Sequence, residues 1–387
     1  MRFITQSPPL SHALTQSQAR RIWLRAQRLD EPAPFGSGPE AIPAAIQYLG
    51  YVQIDTIHVI ERCHHHILFT RMPDYRREYL HRAQSVDKTI FEYWTHALSY
   101  LATQDMRYFV RDMRYEWQRR AVWFTGVADN EIRRVLARIR KNGALTIRDI
   151  DDDELIEKDH EWASRKPSKR ALQRAFYKGL VTISQRTGML KTYELMSRHF
   201  GWKRLPPAAS ARETHNYLLD RALRTQGLVS IDSAAYLIAR RKPVMRRLIE
   251  QRVRRGELVA VHLEGAGKLQ HWAPPATLEQ RLEAGELVHI LSPFDPLVNQ
   301  RKRSHLFFNY EHRFEAYVPK DKRVFGYFAC PVLVGDEITA AIDLKADRER
   351  QQLLIQKWTW VGKGSARRHK RLIEEALHAF ERFQLGR

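Results

Sequence analysis

Gln53 and Asp55 stand two residues apart in the stretch GYVQIDTIHVI, residues 50–60, among apolar and β-branched neighbours. In a strand, successive side chains alternate faces, so Val52 and Ile54 point one way and Gln53 and Asp55 the other, roughly 7 Å apart along the backbone. That spacing presents an amide and a carboxylate together over one target. An amide can orient a water molecule, and a carboxylate can take its proton or face a developing positive charge. A plainer structural reading fits the same residues. Asp55-Thr56 can cap a helix starting at Ile57, and Gln53 can satisfy a neighbouring backbone group.

Other constellations invite chemistry less strongly. His64, His65 and His66 are consecutive and cannot all face one ion on a regular element, and no Cys-x2-Cys partner exists, so no metal site is expected. The acidic run DIDDDELIEKDHEW, residues 149–162, has the carboxylates to hold Mg²⁺ but equally suits a solvated loop or a helix cap. Cys63 and Cys330 are too few for a disulfide framework, and a reducing cytoplasm is the simple expectation. His96, with Tyr93 and Trp94, can approach a ligand or pack in a core. Arg301, Lys302 and Arg303 follow SPFDPLVNQ and are candidates for phosphate contact. VGKGSARR contains Gly-x-Gly only incidentally and is no phosphate-binding loop.

Charge narrows the function classes. Lys plus Arg number 65 against 44 Asp plus Glu, a net of +21 spread along the whole chain. A folded protein with this excess repels itself unless its working partner is a polyanion, and nucleic acid leads. No run of about 18 apolar residues marks a membrane span, and MRFITQSPPLSHALTQ lacks the apolar centre of a secretory signal.

The elements that must position these residues follow from periodicity. The 387 residues predict two to four domains. Residues 15–29 read as a helix capped by Thr15 or Ser17. A Pro/Gly loop follows, then a helix, AIPAAIQYLG, ending at Gly50, and then the strand YVQID. Residues 71–123 are aromatic and basic and read as helical in their second half, with Tyr108, Arg111, Tyr115 and Arg119 on one face. A repeat appears next. In each copy a helix ends at Gly143 or Gly227, a second helix follows, a basic third helix ends at Gly179 or Gly256, and a hairpin closes the unit with QRTG or EGAG at its tip. That is the order of a winged helix, whose third helix enters the major groove in DNA-binding members. The third helices carry Lys169, Arg170 and Arg174, and Arg246, Arg247, Arg252 and Arg254; at least one copy is expected to serve as scaffold. From Leu287 the texture becomes strand-rich, with a turn at Gly335-Asp336. The expected fold is α+β: tandem winged-helix motifs followed by a C-terminal β-barrel-like domain with a terminal helix. The expected regions are an N-terminal winged-helix-like catalytic region over 1–128, a second and a third winged helix over 129–205 and 206–286, and a C-terminal β-rich domain over 287–387.

The wider pattern VQIDTIHVIERCHHHILFTR resembles the N-terminal motif of the bacterial DNA glycosylases that unhook interstrand crosslinks, the YcaQ or AlkX group, with the AlkZ enzymes as more distant relatives. The group's motif is Gln, apolar residue, Asp, where AlkZ enzymes carry a second Gln; here it is Gln53-Ile54-Asp55. FEYWTH, LSPFDPLVNQRKR, RFEAYVPKDKRVFGYFACPVLVGDEI and IDLK match further elements in order, so the resemblance spans nearly the whole chain. The chain departs from the pattern at Ala97, where a Glu is usual, at Asn299-Gln300, where Trp-Asp is common, and at Ala341, where an Arg is common. These departures touch supporting and DNA-clamping positions.

The resemblance implies a monofunctional hydrolase without metal or cofactor, acting on double-stranded DNA that carries N7-alkylguanine or interstrand crosslinks. It implies Gln53 and Asp55 as the catalytic pair. The expected DNA contacts are Arg71, Tyr93, Trp94, His96, Lys169, Arg170, Arg301 and Arg303. A monomer in the bacterial cytoplasm, associated with the nucleoid and not with a membrane, is expected. A non-catalytic winged-helix transcription regulator would share the charge and the repeats but has no use for the pair. A metal-dependent nuclease using the acidic run would be stopped by EDTA.

Overall fold

The computed structural model describes residues 12–114, 127–150, 155–158 and 164–386. Two compact units are present. One comprises Met1–Gly36, Ile57–Asp74 and His215–Arg387, and the other Ser37–Thr56 and Tyr75–Thr214.

The second unit carries Gln53 and Asp55. Its helix Ala41–Leu49 stops at Gly50, which adopts φ +75° and returns its N–H to the Ile46 carbonyl. Only glycine enters that left-handed turn without a Cβ penalty. The chain therefore leaves the helix abruptly and enters the strand Val52–Gln53. A helix Arg77–Ser85 and a hairpin of strands Ile90–Trp94 and Leu98–Ala102 complete this module. The short first strand pairs antiparallel with the hairpin's second strand. The same order recurs with helix Asp129–Asn142, strand Leu145–Thr146, helix Pro167–Tyr177 and the hairpin Val181–Thr187/Leu190–Leu195, again with the short strand on the hairpin's second strand. One apolar core joins both modules, from Phe91, Tyr93 and Leu101 to Ile139, Leu172, Phe176 and Ile183. The basic aromatic segment expected to be helical in its second half has Leu98–Ala102 as strand, and its helix is Arg107–Arg114. Tyr115 and Arg119 lie outside the described residues.

The first unit holds a third run of the same order. Helix Ala211–Gln226, belonging to this unit from His215 onward, leads to Val229, which pairs with Trp272 in place of a first strand. Helix Lys242–Arg254 and strands Val259–Leu263 and His271–Ala273 follow. The strand His12–Leu14 adds in parallel to Val259–Leu263, and the helix Gln16–Ala26 begins in a capping box of Thr15 and Gln18. Gly143, Gly179, Gly227 and Gly256 all have positive φ where the repeat places its helix ends. The QRTG hairpin turns at Gly188-Met189, at the end of that tetrapeptide, since its strands run to Thr187 and resume at Leu190.

The C-terminal strands Val288–Ile290, Ala329–Val334, Glu337–Asp347 and Gln352–Trp360 form an antiparallel sheet in chain order. The expected barrel-like closure is absent among the described residues. Four strands are too few to curl shut. Instead the helix Ala366–Leu385 packs on the sheet. No described helix is long and apolar enough to cross a membrane.

Candidate active site

The site is built on the hairpin that the short strand joins. Gln53 lies opposite Ser99, which lies opposite Tyr93, so all three share one face of the sheet. The Ile54 N–H donates to the Leu98 carbonyl at 2.8 Å, and Asp55 is the first residue beyond that pairing. Val52 and Ile54 are buried, as alternation requires. Alternation does not place Gln53 outward, however. Its side chain is also buried because the hairpin turn Thr95–Ala97 brings His96 onto it, with His96 Nε2 3.2 Å from Gln53 Oε1. Asp55 is half-buried. The helix-cap reading of Asp55 fails, because no helix begins at Ile57 and the next one, Cys63–Phe69, has Arg62 at its N-cap.

His96 is itself held. Its Nδ1 lies 3.3 Å from Thr95 Oγ1, which lies 3.1 Å from Ser99 Oγ, and Ser99 lies 3.1 Å from the Ala97 carbonyl. Tyr51 meets the imidazole edge-on at 5.0 Å. A consistent assignment has His96 donating from Nε2 to the Gln53 carbonyl oxygen and accepting at Nδ1 from Thr95. The Gln53 amide then directs its two N–H groups away from His96. Thr95 and Ser99 were missed from sequence; reading FEYWTHALSYLA as a hairpin would have placed both around His96.

Glu92, in the same FEYWTH element, points to the other face, in register with Tyr100 and Val52. Burial opposes its ionisation, but Arg186 bonds both its oxygens, at 2.5 and 2.6 Å, and holds the carboxyl below the usual range. Gln84 adds a third bond at 3.0 Å. Glu92 thus ties the second hairpin to the first, and the arginine of QRTG is consumed in doing so.

The other expected DNA contacts divide by burial. Tyr93 lies in the core, its hydroxyl donating to the Tyr177 carbonyl at 2.8 Å. Arg71 is fully buried and bidentate on Asp295, at 2.8 and 3.1 Å, with further bonds to Gln27 and the Ile67 carbonyl. Arg303 is buried between the rings of Trp23 and Phe307, each centroid 4.3 Å from its guanidinium carbon. It donates to the Gln226 and Leu228 carbonyls at the C-terminal end of a helix, where a cation is favoured. Burial pushes its pKa down to about 9, which leaves it charged at neutral pH. Arg170 is buried on the helix Pro167–Tyr177. These four have no surface to offer a phosphate, and interior packing is the physical reason in each case. Trp94 is half-buried, edge-on to Tyr177 at 6.2 Å, while Lys169, Arg301 and Lys302 are exposed.

The two basic third helices also differ. Pro167–Tyr177 turns Arg170 inward and sets Arg174 against Asp129 at 3.3 Å. Lys242–Arg254 exposes Arg246, Arg247 and Arg254, while Arg252 pairs with Asp220.

No group of three or more His, Cys, Asp or Glu with metal-binding geometry occurs among the described residues. His66 is buried with a ring nitrogen 2.7 Å from the Ile290 carbonyl, and burial pushes its pKa down to about 4. Residues 151–154 and 159–162 of the acidic run lie outside the described residues. Both cysteines are buried free thiols, and burial pushes Cys330 up.

The family described as DNA glycosylase AlkZ-like matches residues 46–383. Among solved structures, the Streptomyces sahachiroi DNA glycosylase AlkZ shares the fold with a TM-score of 0.61 and 16% sequence identity, over 97% of this chain and 98% of that one.

Proposed function

The chain belongs to the AlkZ-like DNA glycosylase family, and from this we propose that it hydrolyses the N-glycosidic bond of N7-alkylguanine and unhooks N7-guanine interstrand crosslinks. Alkylation at N7 makes guanine cationic and a good leaving group. Its departure places oxocarbenium character on the sugar, so the enzyme needs a fixed negative charge near C1′ and a positioned water more than it needs an acid. The Asp55 carboxylate supplies the charge and accepts the water's proton. Gln53 orients the water. The observation that carries this reading is the His96–Gln53 contact at the end of the strand Val52–Gln53, two residues before Asp55, in a chain of this family. A crosslinked guanine is tethered to the opposite strand and cannot be flipped into a closed pocket, so an open basic surface suits this substrate. Normal bases leave too poorly to be processed.

We read the chain as a catalytic region over 1–128, winged helices over 129–205 and 206–286 and a β-rich region over 287–387, acting as a cytoplasmic monomer on the nucleoid. Trp94, Lys169 and Arg301 remain the DNA-contact candidates of the original set, and the exposed arginines of Lys242–Arg254 join them.

The decisive experiment incubates the protein with duplex DNA carrying one 7-methylguanine, in EDTA. Alkali-labile abasic sites are expected, and a duplex crosslinked through guanine N7 should separate into single strands on a denaturing gel. No base release, or release abolished by EDTA, would overturn the reading. Binding should weaken about a thousandfold between roughly 50 and 200 mM salt if about six phosphates are neutralised.

His96 is a positioning residue here. His96→Ala removes one hydrogen bond to Gln53, worth about 1 kcal/mol, so kcat should fall roughly fivefold to tenfold with DNA affinity unchanged. A loss in affinity at constant kcat would make His96 a DNA contact instead.

A further inference from the structure

Among the described residues, the exposed aromatic side chains are Tyr317 and Tyr327, 77% and 36% accessible, and both belong to the loop 313–328. Exposed apolar side chains scattered singly need no explanation. Two on one loop, with Val324 exposed between them, do. A connection of this length is ordinarily mobile, but buried carboxylates fix this one. Glu315 accepts the N–H groups of Val324, Phe325 and Gly326 at 2.8, 2.7 and 3.2 Å. Asp343, on the strand Glu337–Asp347, accepts those of Tyr327 and Phe328 at 2.8 and 2.9 Å. Gly326 has φ +135°, and a Cβ there would collide with the Asp343 carboxylate. Phe325 and Phe328 are drawn into the core, which leaves Tyr327 outside.

Arg323 joins the two arms of the loop. Its Nε donates to the Val318 carbonyl at 2.8 Å, beside Tyr317, and its guanidinium lies 4.9 Å from the Tyr327 ring centroid. Lys320 and Lys322 are exposed on the turn between, and Lys357 of the adjacent strand donates to the Val324 carbonyl at 2.7 Å. Within 313–328 the exposed carboxylate is Asp321. Aromatic faces flanked by cations, on a backbone already fixed, match the chemistry of unpaired nucleotides. Bases stack on rings without regard to sequence, while the phosphates meet lysine.

We propose that the loop 313–328 is a stacking platform for unpaired DNA nucleotides, with Tyr317 and Tyr327 taking bases and Lys320 and Lys322 their phosphates. The platform rests on the chain acting on DNA and is independent of the roles given to Gln53 and Asp55. The test measures fluorescence anisotropy of a labelled short oligothymidine with full-length protein. Tyr317→Ala and Tyr327→Ala should each weaken binding about tenfold, while Tyr317→Phe/Tyr327→Phe keeps wild-type affinity. Lys320→Ala/Lys322→Ala should lower the salt dependence. Wild-type oligothymidine affinity in the Tyr→Ala double variant overturns the platform, and so does a loss shared by the Phe variant. A protein that binds oligothymidine through these rings yet releases no base keeps the platform and refutes the proposed reaction.

Discussion

Asp55→Asn should bind DNA about as tightly as the wild-type protein and lose roughly three decades of base release. Asparagine keeps the size of the side chain and removes only the charge and the capacity to accept a proton. A carboxylate about 4 Å from a developing sugar cation, at an effective dielectric near 20, contributes about 4 kcal/mol, which is roughly a thousandfold in rate. Because the sugar carries no such charge in the ground state, the loss should fall on kcat and leave binding alone. Single-turnover excision of 7-methylguanine, set beside anisotropy on the same duplex, separates the two quantities. Full activity in the Asn variant would mean that Asp55 does not face the reacting sugar.

Arg71→Met and Asp295→Leu should each destabilise the protein by about 3–5 kcal/mol, whereas the double variant should recover much of that loss. The side chains of this pair are both fully inaccessible, and the guanidinium is saturated by Asp295, Gln27 and the Ile67 carbonyl. Removing one partner strands a buried charge; removing both leaves a site that apolar side chains can fill. A unit of this size should show a fall in Tm on the order of 10 °C for either single variant. The measurement also decides the role of Arg71. A phosphate contact would lose DNA affinity at constant Tm, and an interior ion pair loses Tm first.

These two residues show where sequence was informative and where it stopped. The Gln53-Ile54-Asp55 pattern and the burial of Val52 and Ile54 could be read locally, since a two-residue period needs only the strand itself. The burial of Gln53 could not, because the residue covering it is 43 positions away at the turn of another hairpin. The helix ends at Gly50, Gly143 and Gly227 were legible because a left-handed turn is a property of one residue. Arg71 and Arg303 looked like phosphate contacts because composition does not distinguish an interior cation from a surface one. Their partners, Asp295 and the carbonyls of Gln226 and Leu228, lie 224, 77 and 75 residues away. The SPFDP and FEYWTH elements therefore mix scaffold with the proposed site: Asp295 and Glu92 are buried ion-pair partners, and His96 contacts Gln53. Likewise the four C-terminal strands were legible one by one, whereas whether their sheet closes depends on edges that no single strand reveals.

The first unit is discontinuous, and this constrains the order in which the chain can mature. Its opening segment contributes His12–Leu14 to a ladder whose other side is Val259–Leu263, and Trp23 to a stack completed by Phe307 and Arg303. Arg71, still early in the chain, needs Asp295. During synthesis these residues emerge well before their partners, and none of those contacts can form until the segment 259–307 has been made. The segment 75–214 has its own core partners nearby in sequence and can condense while the beginning of the chain waits, with an unsatisfied arginine and a bare indole. Residues 12–26 are thus made before their partners and buried only after them, and losing residues 259–387 would leave residues 12–26 without their ladder and ring contacts.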